Sequence, residues 1–179
     1  MADEKKEPWL NYLALTTVII AVCATLSTFR GSSYSTRTVI NQNKASNQWA
    51  YYQSKSIKGY LYELQKDAFK MDLMAQKGRI DQSQIDAYTR EMAEYDSTIA
   101  RYEREKVQIQ QDAKNFEVER DHNQAHSQTF GMAVIYLQIG ILLSSIAALM
   151  KRKLIWVAGL SVGVVGLGYF SWAFFVMPG

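Results

Sequence analysis

Two histidines four residues apart are the side chains whose type and spacing come closest to a metal site. His122 and His126 lie on one face of a helix, and Glu119 lies about one helical turn earlier. Imidazole nitrogens bind transition metals, but a stable site needs more ligands than two. The chain has no other histidine and only one cysteine. We therefore interpret the surrounding sequence DHNQAHSQ as a solvated polar collar, keep His122 and His126 as weak metal candidates, and expect no cofactor.

Paired carboxylates on a helix could act as a general acid and a general base. Glu103 and Glu105 are such a pair. Three cations lie between and around them, at Arg101, Arg104 and Lys106. Mixed charges at this spacing are typical of a solvated helix face. The sequence also lacks the Walker, GxSxG, HExxH and CxxC patterns that position phosphates, nucleophiles and metals. We therefore predict no catalytic residue and a protein that is not an enzyme.

The charges are concentrated in the middle of the chain and are balanced there. Of the 37 formal charges (20 basic plus 17 acidic), 29 lie between residues 30 and 121, as 15 basic and 14 acidic side chains. Nucleic-acid binding needs a clustered basic face. The balance therefore argues against a nucleic-acid partner.

Three segments without Asp, Glu, Lys or Arg have the composition of membrane-spanning helices. They cover residues 9–29, 130–150 and 154–177 and are 21, 21 and 24 residues long. A helix of about 20 apolar residues crosses a bilayer, and aromatic side chains near the ends of these segments are typical of the membrane interface. The sequence predicts three transmembrane helices after an N-terminal tail of residues 1–8, with the lipid bilayer as a partner.

The loop between the second and third spans sets the predicted orientation. It consists of Lys151, Arg152 and Lys153, and short basic loops stay on the cytoplasmic side of a membrane. The N-terminus, with Lys5 and Lys6, then lies in the cytoplasm and the middle segment lies in the periplasm. Basic side chains also flank the spans on the other side, so the opposite orientation stays open.

The segment between the first two spans predicts a long helical hairpin. Residues 34–129 contain no proline and only two glycines. Gly78 suits the left-handed end of a helix, and Asp81 with Gln84 forms a capping box at the start of the next helix. The predicted elements are a first helix over about 35–77, a turn over 78–81 and a second helix over about 82–129.

The two helices of the hairpin are expected to join their spans differently. The second helix meets no helix breaker before Gly131, so we expect one continuous helix from about residue 82 to residue 150. The first helix follows the sequence Gly31-Ser32-Ser33, which predicts a flexible or kinked joint after span one.

Each helix of the predicted hairpin carries an apolar stripe whose steps alternate between three and four residues. That spacing is typical of a coiled-coil seam. Facing positions on the two stripes have residue numbers that add to 159 or 160, which centres the hairpin on the predicted turn. The predicted seam consists of Ile57, Leu61, Leu64 and Met71 on the first helix and Tyr88, Met92, Tyr95, Ile99 and Tyr102 on the second.

Apolar side chains outside this seam indicate a partner. A two-helix hairpin has a thin core, and aromatic residues such as Trp49 and Tyr52 lie off the predicted seam. Apolar surface of this kind is typical of an interaction face. Gly159 and Gly163 form a GxxxG pair in span three, which allows close helix packing within one chain or between copies. We predict a homo-oligomer with these four residues as contacts, and we keep a protein partner for the hairpin open.

The stretch from Trp9 to Gln65 resembles a known family. Its segments WLNYLALTTVIIAVCATLS and KASNQWAYYQSKSIKGYLYEL resemble an uncharacterised bacterial inner-membrane family that is catalogued as a domain of unknown function. The part NQWAYYQSKSIK is the most specific. The resemblance implies a bacterial membrane protein with one N-terminal and two C-terminal spans, and it implies no activity, cofactor or catalytic residue.

The sequence therefore predicts an all-α membrane protein with three transmembrane helices and a long antiparallel coiled-coil hairpin. Our first hypothesis for its function is a non-enzymatic membrane scaffold or interaction protein that self-associates through the hairpin and the spans. The first alternative is an oligomeric channel or pore with a polar collar next to the membrane. The second is a membrane sensor that signals through the continuous helix into span two.

Overall fold

The computed structural model describes residues 8–76, 79 and 81–177, and this part of the chain is helical almost throughout. Helix α1 covers Pro8–Ala75, α2 covers Gln82–Met150 and α3 covers Lys153–Ser171. A short π-helical turn, Trp172–Val176, follows α3. No strand occurs within these described ranges, so the predicted all-α class is confirmed.

Helix α1 continues without interruption through the glycine and serines at residues 31–33. The predicted joint therefore does not interrupt the helix. The physical reason is packing, because a Cβ atom on Gly31 would lie 3.1 Å from the Cβ atom of Phe130 in α2. The Ser127 hydroxyl also donates a hydrogen bond to the carbonyl oxygen of Gly31 at 3.1 Å. The missing side chain at Gly31 thus allows a close approach of α2 rather than a break in α1.

Helix α2 begins at Gln82, and an aspartate caps it. The backbone N–H of Gln84 donates to Oδ1 of Asp81 at 2.9 Å, which is the predicted N-cap bond. Helix α2 then runs unbroken to Met150, as the sequence predicted. Helix α1 ends at Ala75, two residues before the predicted end. The predicted turn residue Gly78 lies outside the described residues.

A two-residue turn joins α2 to α3. Lys151 adopts a left-handed conformation with φ of 50°, and the N–H of Arg152 donates back to the carbonyl of Ala147 at 3.2 Å. This geometry is a common way to end a helix and reverse the chain. The turn separates the second predicted span from the third, which begins at Lys153 as α3.

The chain divides into two compact units. The first contains Met1–Val39 and Arg120–Gly179, and the second contains Ile40–Glu119. Three helical stretches are long and apolar enough to cross a membrane, and they belong to Pro8–Ala75, Gln82–Met150 and Lys153–Val176.

The first unit has a core of small and branched side chains from its helices. Ile20 and Ala24 of α1 pack with Ala133 and Leu137 of α2 in one buried cluster. A second cluster contains Trp9, Leu13 and Ala147. The indole N–H of Trp156 in α3 donates to the hydroxyl oxygen of Thr16 in α1 at 3.3 Å. All three helices therefore contribute to the packing of this unit.

Candidate functional site

The second unit consists of two arms, which we define as residues 40–75 of α1 (the first arm) and residues 82–119 of α2 (the second arm). Polar contacts connect them along their length. Trp49 contacts Glu117, Lys55 contacts Glu105 and Lys66 contacts Asp96. The residue number falls on the second arm as it rises on the first, so the arms lie side by side and antiparallel.

The predicted stripe of the second arm faces the first arm. Tyr88, Met92, Tyr95, Ile99 and Tyr102 are all half-buried. The Tyr95 ring lies 5.3 Å from the Tyr62 ring and 5.8 Å from the Phe69 ring of the first arm. Burial in this contact, together with a hydrogen bond to Glu91, raises the pKa of the Tyr95 hydroxyl. A coiled-coil seam through these five residues stays a prediction.

The first arm presents a different stripe from the predicted one. The four predicted seam residues are exposed, with 59% of Ile57, 55% of Leu61, 67% of Leu64 and 69% of Met71 accessible. Their prediction as seam residues between the two arms of one chain is therefore wrong. Heptad spacing allows more than one stripe on a helix, and nothing in the spacing alone says which stripe faces the neighbouring helix.

The stripe that does face the second arm consists of aromatic residues and lysines at the same heptad spacing. Tyr62 and Phe69 are seven residues apart, and Phe69 also lies 5.2 Å from the Tyr88 ring. Gly59, three residues before Tyr62, is buried as well. Aromatic rings bury more surface than Leu or Met and gain from ring contacts. The seven-residue spacing of Tyr62 and Phe69 is visible in the sequence, but the predicted seam followed the aliphatic stripe instead.

Ion pairs flank this aromatic contact. Lys55 Nζ lies 2.5 Å from Glu105 Oε2, and Lys66 pairs with Asp96. The pairing with Glu105 raises the pKa of Lys55, and the pairing with Lys55 lowers the pKa of Glu105. Asp96 likewise raises the pKa of Lys66. These lysines bury their aliphatic stems and keep their charged ends at the edge of the contact.

Trp49 and Tyr52, which were predicted as oligomer contacts, are engaged within the chain. The Trp49 indole N–H donates to Glu117 Oε1 at 2.8 Å, and its ring meets the Tyr52 ring edge-on at 5.7 Å. Lys106 Nζ lies 5.3 Å above the Tyr52 ring. Both aromatic side chains are half-buried, so they stabilise the contact between the arms. Their role as contacts between copies stays a prediction.

Gly159 and Gly163 also serve packing inside one chain. A Cβ atom on Gly159 would lie 2.9 Å from the Cβ atom of Leu143 and 3.1 Å from the carbonyl oxygen of Gly140, and one on Gly163 would lie 2.8 Å from Cδ1 of Ile20. Both glycines are buried. They let α3 approach α2 and α1 closely, which is the packing within one chain that the sequence allowed. Their role as contacts between copies stays a prediction.

His126 does not lie in the solvated collar that the sequence predicted. His126 is 1% exposed, and its ring stacks on Tyr34 at 4.5 Å with an interplanar angle of 12°. His122 meets His126 edge-on at 4.7 Å. No local pattern in the sequence indicates this burial, because Tyr34 belongs to α1 and lies far away along the chain. Among the described residues, no group of three or more His, Cys, Asp or Glu side chains could hold a metal ion.

The fold and these contacts define an all-α protein with three helices able to cross a membrane and a charged pair of helical arms. The chain belongs to the family described as a domain of unknown function (DUF4337), which matches residues 9–176. The family resemblance seen in the sequence is therefore confirmed. Neither the curated proteins nor the solved structures contain a significant match to the chain.

Proposed function

We propose that the protein is a non-enzymatic membrane scaffold that self-associates through its two arms. In this proposal the arms form an antiparallel coiled-coil hairpin in water, held to the bilayer by three transmembrane helices. The many charged side chains of residues 40–119 support a location in water, because charges are costly within a bilayer. The inner membrane of a bacterium, with the N-terminus in the cytoplasm and the arms in the periplasm, is the proposed location.

One observation carries the proposal of self-association. Ile57, Leu61, Leu64 and Met71 form an exposed stripe on the first arm, on a side of α1 that does not face the second arm. We call these four residues the outer stripe. A soluble surface rarely leaves a continuous row of large aliphatic side chains in water unless the row binds something. Its heptad spacing fits another helix that lies lengthwise against it. The pore and sensor hypotheses remain predictions.

Energy transfer between labelled copies in liposomes tests self-association. One dye is placed at Ser83, an exposed residue at the start of α2, by Ser83→Cys on a Cys23→Ser background. Donor-labelled and acceptor-labelled chains are reconstituted together at low protein density. We expect transfer well above that of randomly distributed chains, and we expect Leu61→Asp combined with Leu64→Asp to abolish most of it, because charges in the outer stripe would have to be desolvated.

A matched control separates a specific stripe from general stickiness. Val107 is 68% exposed and lies on the second arm, outside the outer stripe, whereas Leu64 is 67% exposed. Val107→Asp therefore makes a comparable change at comparable exposure and should leave the transfer intact. Transfer no greater than random in the unmodified protein would contradict the proposed function.

A further inference from the structure

We propose that the turn between α2 and α3 binds the phosphate of an anionic phospholipid. This basic turn consists of Lys151, Arg152 and Lys153, and all three side chains are exposed. It joins two helical stretches that are long and apolar enough to cross a membrane, so a bilayer that contains both stretches has the turn at its edge. The inference concerns the first unit alone and does not depend on self-association through the arms.

The three positive charges of the basic turn have no carboxylate to neutralise them in the described part of the first unit, residues 8–39 and 120–177. That part contains a single acidic residue, Asp121. Asp121 pairs with its neighbour Arg120 at 2.7 Å and lies about 45 Å from the turn along the axis of α2. The turn therefore keeps a local excess of positive charge, which attracts an anion.

The N-terminal tail does not carry enough charge to balance the basic turn. Residues 1–7 lie outside the described residues, and their sequence contains three acidic side chains and two lysines. These side chains sum to one negative charge, whereas the turn has three positive ones. An excess of two positive charges would remain even if the whole tail lay against the turn, so a ligand from outside the chain is still favoured.

Two indole rings place one of these charges at the level of lipid headgroups. Trp9 of α1 is 8% exposed, and its ring centroid lies 6.1 Å from that of Trp156 in α3. Lys153 Nζ lies 6.0 Å from the centroid of the Trp9 ring. Indole rings near the ends of spanning helices lie at the interface between membrane and water. The ammonium group of Lys153 is therefore level with the phosphates of the surrounding lipids.

The backbone of the basic turn adds hydrogen-bond donors to these charges. Helix α3 begins at Lys153, and Arg152 occupies its N-cap position. An arginine side chain has no acceptor atom for the first backbone N–H groups of a helix. These N–H groups, together with the positive end of the helix dipole, favour an anion beside the turn. Phosphate oxygens accept hydrogen bonds from such backbone groups and from the three basic side chains.

Large aliphatic side chains on both sides of the basic turn favour a lipid over a free anion. Leu149 is 85% exposed and Leu154 is 83% exposed. A phospholipid bound at the turn supplies acyl chains that cover such side chains, whereas inorganic phosphate does not. Among phospholipids, a headgroup of net negative charge fits best, because the ammonium group of a zwitterionic headgroup offsets its own phosphate.

Native mass spectrometry of the full-length chain tests this inference by counting the lipids bound per chain. The protein is released from neutral detergent micelles that contain equal amounts of phosphatidylglycerol and phosphatidylethanolamine. We expect about tenfold more phosphatidylglycerol than phosphatidylethanolamine on the unmodified chain, since each basic side chain near anionic lipid contributes about fivefold. Lys151→Gln combined with Lys153→Gln should reduce this preference to about twofold.

Two matched variants separate a site at the turn from a general effect of positive charge. Arg30→Gln combined with Arg37→Gln also removes two exposed charges from the first unit, about 30 Å or more beyond Trp9 along α1. This control should keep the preference for phosphatidylglycerol. Lys151→Arg combined with Lys153→Arg retains both charges at the turn and should keep it as well. Circular dichroism checks that all variants have the same helix content.

Three results would overturn the inference. The first is equal binding of the two lipids to the unmodified chain. The second is an equal loss of preference in the turn variant and in the Arg30 and Arg37 variant, which would show a general effect of net charge. The third is loss of the preference in millimolar inorganic phosphate but not in sodium chloride of the same ionic strength, which would make free phosphate the occupant. Self-association through the arms is measured separately by energy transfer, so either proposal can fail alone.

Discussion

At the scale of single residues, glycines determine where the long helices can approach each other. One aspartate determines where α2 begins. Gly159 and Gly163 lack side chains where α3 meets its neighbours, whereas Gly168 has no heavy atom within 4 Å of the place a Cβ would occupy. Glycine therefore has different roles within a single helix. The sequence shows that the residues are glycine, and the structure shows which of them are in contact.

Substitution of these glycines should separate the two roles. Gly159→Val is expected to destabilise the packing of α3 by about 1–3 kcal/mol, because the new side chain would overlap Leu143 and the backbone of α2. Gly168→Val should change stability little. The measurement is unfolding of the full chain in mixed detergent micelles, followed by circular dichroism. Equal destabilisation by the two changes would contradict the close contact at Gly159.

Loss of the cap at the start of α2 should weaken that end locally. Asp81→Ala removes the acceptor for the Gln84 N–H, which costs about 1 kcal/mol at a typical N-cap. We expect about fivefold faster hydrogen exchange at the amide of Gln84, while Asp81→Asn, which can also cap, should stay close to the original rate. An unchanged rate in Asp81→Ala would show that this bond does not hold the first turn.

At the scale of elements, the first arm is a stretch of α1 that carries two apolar stripes. The stripe with Tyr62 and Phe69 faces the second arm, and the outer stripe is exposed. The inner contact combines rings with ion pairs, so its strength depends on pH. The outer stripe consists of aliphatic side chains, which carry no titratable group.

The Lys55–Glu105 pair predicts a loss of stability at both ends of the pH range. Glu105 has a lowered pKa in the folded state, so its contribution is complete above its ordinary value of 4.5 and is lost as the pH falls through the lowered pKa. Lys55 has a raised pKa, so its contribution is complete below 10.5 and is lost as the pH rises through the raised pKa.

Substitution of the carboxylate tests this pH dependence. Glu105→Gln should make the fall in the thermal-unfolding midpoint between pH 6 and pH 3 shallower than in the unmodified protein. Asp86 accepts a hydrogen bond from the side-chain amide of Gln82 in its own helix, so Asp86→Asn is a suitable control and should retain more of the fall. Identical pH profiles for the unmodified protein and Glu105→Gln would contradict a stabilising pair.

At the scale of the whole molecule, the composition and the apolar periodicity of the sequence were sufficient to predict the class of fold. They were not sufficient to predict contacts between distant residues. The three apolar segments, the uninterrupted α2 and the Asp81 cap depend on neighbouring residues, so the sequence predicted them. Which face of the first arm packs against the second depends on which of its stripes makes the more stabilising contact with Tyr88 and Tyr95. The burial of His126 depends on Tyr34. These are competitions between residues far apart in sequence, which periodicity does not resolve.

The mass of the protein in detergent tests the central claim most directly. One chain has a mass of 20.4 kDa. Light scattering at micromolar concentration should give a protein mass of at least twice that value for the unmodified chain and for Val107→Asp. Leu61→Asp combined with Leu64→Asp should give 20.4 kDa. A monomeric mass for the unmodified chain, or a dimeric mass for the double variant, would contradict association through the outer stripe.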